Sequence, residues 1–326
     1  MSARRIPDLL NRLASAGDEG VPLTDDPLLL LDLDLCAAAG FPVRIAEQRV
    51  YLPFDSDSLV PAWIEAETPN IAWPKLIAEG YLELDSTNAV ALAGARQGAA
   101  TGLLVCAETQ TAGKGRRGRR WSSPPGAGLY FTLVLRPPRP HACWTLLNLI
   151  ASVAVAQAIA DLERESVVPQ RLLVDLKWPN DVLVSGKKAA GILVETAGSG
   201  GSPYAAVVGV GVNVREGFIP EELKGRATSV SAEAGVQVPK RWLLVRFLYH
   251  FQLGYDAFVQ GRDQEIVAQW KSHSTMWDAT PVWVEDNTER IRATTSGLTE
   301  LGALRIRTEE GTEEIVLAAD VTIRQV

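Results

Sequence analysis

The chain has 326 residues, 47% of them hydrophobic and 22% charged, with a net charge of −7, three cysteines and three histidines. That leaves room for two or three domains around one large core, but not for a disulfide framework or a His-rich metal centre: Cys36, Cys106 and Cys143 follow no ligand spacing and read as buried thiols, and His141, His250 and His273 form no HExxH pair. No apolar run reaches the ~18 residues a bilayer span requires, and the opening Met1–Asp8 lacks the apolar centre of a signal peptide, so a cytoplasmic protein is expected.

In chain order, Ile6, Leu9, Leu10 and Leu13 have helical spacing, and Gly17 and Gly20 end that helix. A second apolar stretch, Leu28 to Ala39, stops at Gly40, and Val43 to Leu52 alternates as a short hairpin does. Residues 1–66 hold five arginines and no lysine against eleven Asp and Glu, a net of −6. Contacts from Lys and Arg to phosphate supply most of the affinity for DNA, so this module is a poor DNA binder. The segment Gly17 to Gly40 is also short for a helix-turn-helix, and it reads Asp25-Asp26-Pro27-Leu28 where a recognition helix would begin with cations. A module kept for packing or partner contacts is expected.

A strand, Tyr81 to Leu84, then leads into Asp85-Ser86-Thr87-Asn88, which on its own reads as a helix N-cap. Strands Leu103–Glu108 and Leu129–Leu135 flank a loop rich in cations, and Leu146 to Leu162 is an Ala-rich core helix. Leu172–Trp178, Lys188–Glu195 and Ala205–Val214 are further strands, the last rich in valine and threaded by glycines. Trp242 to Phe258 reads as an amphipathic helix. Beyond Trp277 come five short alternating segments, Pro281–Glu285, Glu289–Ser296, Ala303–Thr308, Glu313–Leu317 and Val321–Val326, with Gly297, Gly302 and Gly311 at the turns; they predict a small β-barrel.

The loop reads Gly113-Lys114-Gly115-Arg116-Arg117-Gly118-Arg119-Arg120-Trp121: three glycines and five cations in nine residues. Glycine leaves room for a ligand close to the main chain, successive N–H groups form an anion nest, and arginine adds forked donors. The GxxxxGK[ST] order of a P-loop is absent, and the GxGxxG match has no acidic residue about 20 positions on. Taken alone, the loop is equally a solvated basic segment or a nucleic-acid patch.

It does not stand alone. Upstream lie Asp85-Ser86-Thr87-Asn88 and Ala107-Glu108-Thr109-Gln110-Thr111-Ala112. Downstream come Leu176-Lys177-Trp178-Pro179-Asn180-Asp181, Gly186-Lys187-Lys188-Ala189-Ala190-Gly191-Ile192-Leu193-Val194-Glu195 and Val207-Val208-Gly209-Val210-Gly211-Val212-Asn213. In this order and spacing the blocks resemble the biotin protein ligases, over roughly residues 80 to 326. The resemblance implies an α+β fold: a class II synthetase-like mixed-sheet catalytic domain (67–276), preceded by a degenerate winged-helix-like module (1–66) and followed by an SH3-like β-barrel (277–326). It implies a ligase that activates biotin with ATP and Mg²⁺ as biotinyl-5′-AMP. The biotinyl group then passes to a lysine of the biotin carboxyl carrier protein of acetyl-CoA carboxylase or a related carboxylase. Neither DNA nor a membrane is an expected partner, and monomer and homodimer both stay open. Two other readings are a lipoate-protein ligase and a biotin-sensing operon repressor.

Carried over residue by residue, the resemblance makes Arg116 the bridge between carboxylate and α-phosphate, with Gly113, Lys114, Gly115 and Arg117 ordering the loop. Lys188, which directly precedes Ala189-Ala190-Gly191, becomes the second cation, leaving Lys187 a solvated charge. Ser86, Thr87, Asn88 and Gln110 would hold the ureido head of biotin, and Trp121 and Asn213 the adenine. Gly209 and Gly211 admit either a ligand or tight strand packing. Asp181 is open between a Mg²⁺ or network carboxylate and a structural turn cap; Lys177 is a further phosphate candidate, and Trp178 a core residue. No protein-built metal site and no cysteine nucleophile are expected. The carrier would dock by strand pairing near Tyr130–Leu135 or on the C-terminal barrel.

Overall fold

The computed structural model describes residues 4–38, 41, 43–52, 57–71, 76–199, 202–285, 290–317 and 322–325. The chain opens with a two-residue strand, β1 (Arg4–Arg5), and the expected helix, α1 (Asp8–Ala16), which buries Leu9, Leu10 and Leu13. The helix stops where Gly17 takes a φ of 52° and returns its N–H to Leu13 O. Strand β2 (Val21–Pro22), helix α2 (Pro27–Ala38) and the hairpin β3 (Arg44–Ala46) and β4 (Arg49–Tyr51) follow, and the three strands pair in the order β2-β4-β3. Both turn residues of the hairpin, Glu47 and Gln48, are left-handed, which matches the strand twist. Helix α2 has leucines on every side and only Asp32 and Asp34 among them, so its sequence does not choose a single buried face; Leu28 is 72% exposed, and Leu30 and Leu31 also face outward. Helix α3 (Pro61–Glu67) closes the module by burying Trp63 and Ile64.

The large sheet takes in β5 (Ile77–Glu83), β6 (Leu103–Ala107), β7 (Gly128–Leu135), β8 (Val174–Lys177), β9 (Asp181–Val184), β10 (Lys187–Ser199) and β11 (Ser202–Asn213). Its order is β1-β5-β6-β7-β11-β10-β9-β8, and every pair is antiparallel except β5 with β6. Strand alternation sends Leu129, Phe131, Leu133 and Leu135 to one face, against α5 (Leu146–Arg164) and α7 (Lys240–Val259), with α6 (Val230–Ala234) and α8 (Asp263–Ser272) alongside. Phe131 meets Phe247 edge to face at 4.8 Å. Val105, Val134 and Val207 turn to the other face and pack on Ala91 and Ala95 of α4 (Thr87–Arg96). The segment His141–Arg164 is long and apolar enough to cross a membrane, but 72% of its apolar window is buried inside the protein.

Strand β7 is buried at all of its positions and paired on both sides, by β6 and by β11. The expected docking of a carrier by strand pairing at Tyr130–Leu135 is therefore excluded: no main-chain edge is open there. The three thiols also differ. Cys36 and Cys106 are buried, and burial pushes both up, Cys36 to about 12, whereas Cys143 is only half-buried.

The five C-terminal segments form β12 (Asp278–Glu285), β13 (Arg290–Leu298), β14 (Leu304–Thr308), β15 (Glu313–Val316) and β16 (Thr322–Gln325), an antiparallel sheet in the order β15-β14-β13-β12-β16. Among the described residues β15 and β16 do not pair, so the sheet is open rather than the closed barrel expected. It is seated on the main core at Gly302, whose φ is +78° and where a Cβ would lie 2.6 Å from Leu149 Cδ1. Trp178 Nε1 donates to Gly302 O at 3.0 Å, and Thr145 Oγ1 to Leu301 O at 2.8 Å.

Candidate active site

A cavity of about 530 Å³ lies over the sheet where β7, β11 and β10 run side by side. Ser86, Thr87, Asn88, Gln110, Lys114, Gly115, Arg116, Arg117, Trp121, Asp181, Lys188, Gly209, Gly211 and Asn213 all line it. Gly113 does not: it lies behind the loop, where a Cβ would meet Trp121 O at 2.5 Å.

At one end the polar groups are buried and paired. Ser86 occupies the N-cap position of α4 without making a side-chain cap bond, so its hydroxyl is not committed to the helix. Gln110 Oε1 accepts from Thr87 N at 2.9 Å and from its hydroxyl at 3.2 Å, while Gln110 Nε2 donates to Ser123 Oγ at 2.9 Å. Asn88 Nδ2 donates to Glu195 Oε2 at 2.8 Å and Leu193 O at 3.2 Å. The Thr132 hydroxyl lies 2.7 Å from Asn88 Oδ1 and 2.8 Å from Thr87 Oγ1. The Asn88 amide is thus held on both sides by protein. Gly209 is explained by the same packing, since a Cβ there would fall 1.9 Å from Asn88 Oδ1. Thr132 is fully buried on β7 and was invisible as a site residue in the sequence; a lone polar residue in the apolar run Leu129–Leu135 was the one available signal.

At the other end stand the cations. The loop closes on itself through Gly115 N to Arg119 O at 2.7 Å and Trp121 N to Gly113 O at 2.9 Å, and Arg117 takes a left-handed φ of 56° inside it. Most of its charges face outward; Arg120 Nη2 donates to Thr111 O at 2.6 Å, and Arg117 Nη1 reaches the C-terminal sheet at Glu285 O, 3.2 Å away. Arg116 turns inward, and its Nη1 donates to Asn180 Oδ1 at 3.1 Å. Burial pulls its guanidinium below its usual value, and the Asp181 carboxylate opposes that; the group stays cationic throughout the working pH range.

Lys188 Nζ meets Asp181 Oδ1 at 2.5 Å and sits 5.3 Å from the centre of the Trp121 ring. The sequence implied no cation beside Asp181; the antiparallel pairing of β9 with β10 supplies one. Nor does Asp181 cap a turn, because it begins β9 and pairs with Gly191. Lys187 points the other way, to Glu233 at 3.4 Å, as a partly solvated pair. Lys177 also lines the cavity, and Trp178 is a core residue, as read.

Trp121 lies across the glycines of two neighbouring strands: a Cβ at Gly211 would come within 2.6 Å of its ring, and one at Gly191 within 3.0 Å. Its indole N–H is buried and has no hydrogen-bond partner among the described residues, a donor placed where an acceptor would be welcome. Asn213 Nδ2 donates to Thr228 O at 3.1 Å, which holds the following loop against the cavity. Arg215 next to it pairs with Asp57 at 2.5 Å, tying the segment before α3 to the cavity wall. Among the described residues no three His, Cys, Asp or Glu side chains come together to cage a metal.

Residues 80–213 match the model of the biotin/lipoate A/B protein ligase family. The chain is similar to the biotin–[acetyl-CoA-carboxylase] ligase of Paracoccus denitrificans, 34% identical over 243 residues that cover 73% of this chain and 96% of that protein. It is also similar to the bifunctional ligase/repressor BirA of Bacillus subtilis, 32% identical over 242 residues, covering 74% and 72%. Among solved structures it is similar to a biotin protein ligase from Aquifex aeolicus in complex with biotin and ATP, with a TM-score of 0.64, 29% identity, and coverage of 76% of this chain and 99% of that one.

Proposed function

The chain belongs to the biotin protein ligases, and on that premise we propose how its residues divide the work. It is an ATP-dependent enzyme that ligates biotin to a carboxylase. The acceptor is a lysine of the biotin carboxyl carrier domain. The observation that carries the assignment of roles is the meeting of Arg116 and Lys188, from distant parts of the chain, in one cavity that also holds a neutral polar end.

In the first step a carboxylate oxygen of biotin attacks the α-phosphorus of ATP. A C–O–P anhydride forms as the bond to pyrophosphate breaks. Two anions must approach each other, and Arg116 and Lys188 offset their repulsion and the charge that builds in the transition state. Gly115 leaves the main chain accessible to the same oxygens, and Lys114 and Arg117 hold the loop in place. In the second step the acceptor ε-amine attacks the anhydride carbonyl, an amide forms, AMP leaves, and the amine sheds a proton. The loop excludes water from the anhydride meanwhile.

The neutral end suits the ureido ring: Ser86, Thr87 and Gln110 offer hydroxyl and amide groups, and Asn88 holds that array from behind. Trp121 supplies a ring face and an N–H to the adenine, and Asn213 frames it. The site fits Mg²⁺ only as MgATP, with phosphate and water oxygens as its main ligands and Asp181, already paired with Lys188, as the one carboxylate among the described residues that line the cavity. Residues 1–66 are best taken as a degenerate winged-helix-like module, given helices α1 to α3 and the β3–β4 hairpin, and 277–326 as an SH3-like one.

Incubating the protein with biotin, MgATP and a carrier domain should add one biotin mass to one lysine; an unmodified carrier refutes the reading. Lipoate shares the matched family's chemistry, and it should fail to compete with biotin in pyrophosphate exchange. The net of −6 over residues 1–66 predicts no ligand-dependent shift of biotin-promoter DNA.

A further inference from the structure

The side chains at the neutral end form a chain whose protons can be placed one by one. Asn88 Nδ2 lies against two acceptors, Glu195 Oε2 at 2.8 Å and Leu193 O at 3.2 Å, so Oδ1 is the atom that meets Thr132 Oγ1 at 2.7 Å. An amide oxygen only accepts, and a threonine hydroxyl has one proton, so Thr132 donates to Asn88. The 2.8 Å contact between Thr132 Oγ1 and Thr87 Oγ1 then takes its proton from Thr87, because two oxygens that close without one repel. A second acceptor, Gln110 Oε1, lies farther from Thr87 Oγ1, at 3.2 Å, and already takes the Thr87 N–H at 2.9 Å. Thr87, Asn88 and Thr132 are all buried, so the chain is completed by protein groups rather than bulk water. Gly209 pairs with Thr132 across the strands, and Asn88 Oδ1 occupies the space its missing Cβ leaves.

From this geometry we infer that Thr132 is a positioning residue for ligand specificity, acting through Thr87: it draws off the Thr87 proton, so that Thr87, which lines the cavity, meets a ligand only as an acceptor. The inference rests on the ligase reading above and deepens it. A hydroxyl with no fixed partner turns to suit a donor or an acceptor. One whose proton is committed selects a ligand N–H and rejects a lone pair at the same place. A ureido ring carries N–H groups, whereas the dithiolane ring of lipoate carries none, so the chain favours the first ring by polarity. Both acceptors that anchor it, Glu195 Oε2 and Leu193 O, belong to β10, and Thr132 belongs to β7. The sheet, not a loop, therefore sets the direction of the protons.

The test is calorimetric binding, to the full chain, of biotin and of its two cyclic carbamate isosteres, in which one or the other ureido N–H is replaced by oxygen. The wild-type protein should bind one isostere about a hundredfold more weakly than biotin, because two lone pairs then face each other. Thr132→Val frees the Thr87 proton and should cut that gap to about tenfold or less, whereas Thr132→Ser keeps the hydroxyl and should keep the gap. A merely structural role would weaken biotin and isostere alike and leave their ratio unchanged. Thr132→Ala takes the place of the valine variant if that one does not fold. Equal affinity of the wild-type protein for biotin and both isosteres, an undiminished gap in the valine or alanine variant, or a lost gap in the serine variant overturns the inference. A wild-type protein that binds no biotin refutes the ligase reading itself, so the two failures are distinguishable.

Discussion

The two ends of the cavity are built on opposite plans. At the neutral end, Thr87, Asn88 and Thr132 are buried and Gln110 is half-buried, and they are hydrogen-bonded to one another and to the strands. At the cationic end, Arg116 and Lys188 hang from one loop and one strand, Arg116 donating to Asn180 and Lys188 pairing with Asp181. A ureido ring carries fixed donors and acceptors and gains most from groups already in place, because each unpaired buried polar atom costs about 1–3 kcal/mol. A reacting phosphate redistributes its charge, and preorganised cations offset the charge that builds. On the proposed reading, recognition is built into the sheet, while chemistry is delivered by a loop that the sheet aims.

Substitutions can set the ends against each other. The largest effect is expected at the cations: Lys188→Ala or Arg116→Ala should slow adenylation on the order of a hundredfold, about 2.7 kcal/mol, with little change in biotin affinity, read by pyrophosphate exchange and calorimetry. Loss of biotin binding as the main effect would erase the distinction between the ends. Next comes Thr132→Val, which keeps the shape but removes the one proton that satisfies Asn88 Oδ1. It should raise the KM for biotin about tenfold and leave that for ATP unchanged. Gly211→Ala pushes on the Trp121 ring and should raise the KM for ATP several-fold, roughly 1 kcal/mol of overpacking, without moving that for biotin. The smallest effect is expected from Arg120→Ala. Its bond to Thr111 O is exposed and worth about 1 kcal/mol, so turnover should stay within about twofold in steady-state assays.

Much of the site was legible because its residues come in blocks. The glycine spacing around Arg116, the Lys188-Ala189-Ala190-Gly191 order and the Gly209 and Gly211 pair each impose a local backbone requirement that leaves a mark in the chain. Asn180 was present in such a block but had no role assigned, since its partner Arg116 lies 64 positions away. Thr132 left less trace still. The four-residue strand β9 was too short to show alternation, and it is what brings Asp181 to Lys188. The C-terminal strands were read with nearly their observed boundaries, whereas their open arrangement is a matter of which edges meet.

By itself the sequence determined the order of the longer strands and helices, the buried core helix and the acidic character of the first 66 residues, because periodicity, charge and glycine placement act over a few neighbouring residues, while the choice of Arg116 and Lys188 came with the family resemblance. Only the tertiary structure decided that β7 is an interior strand with no free edge, that Gly209 exists for Asn88, and that consecutive residues Asn180 and Asp181 each hold one cation. Those outcomes depend on strand order and register, which arise from contacts between residues far apart in the chain and leave no periodic signal in it.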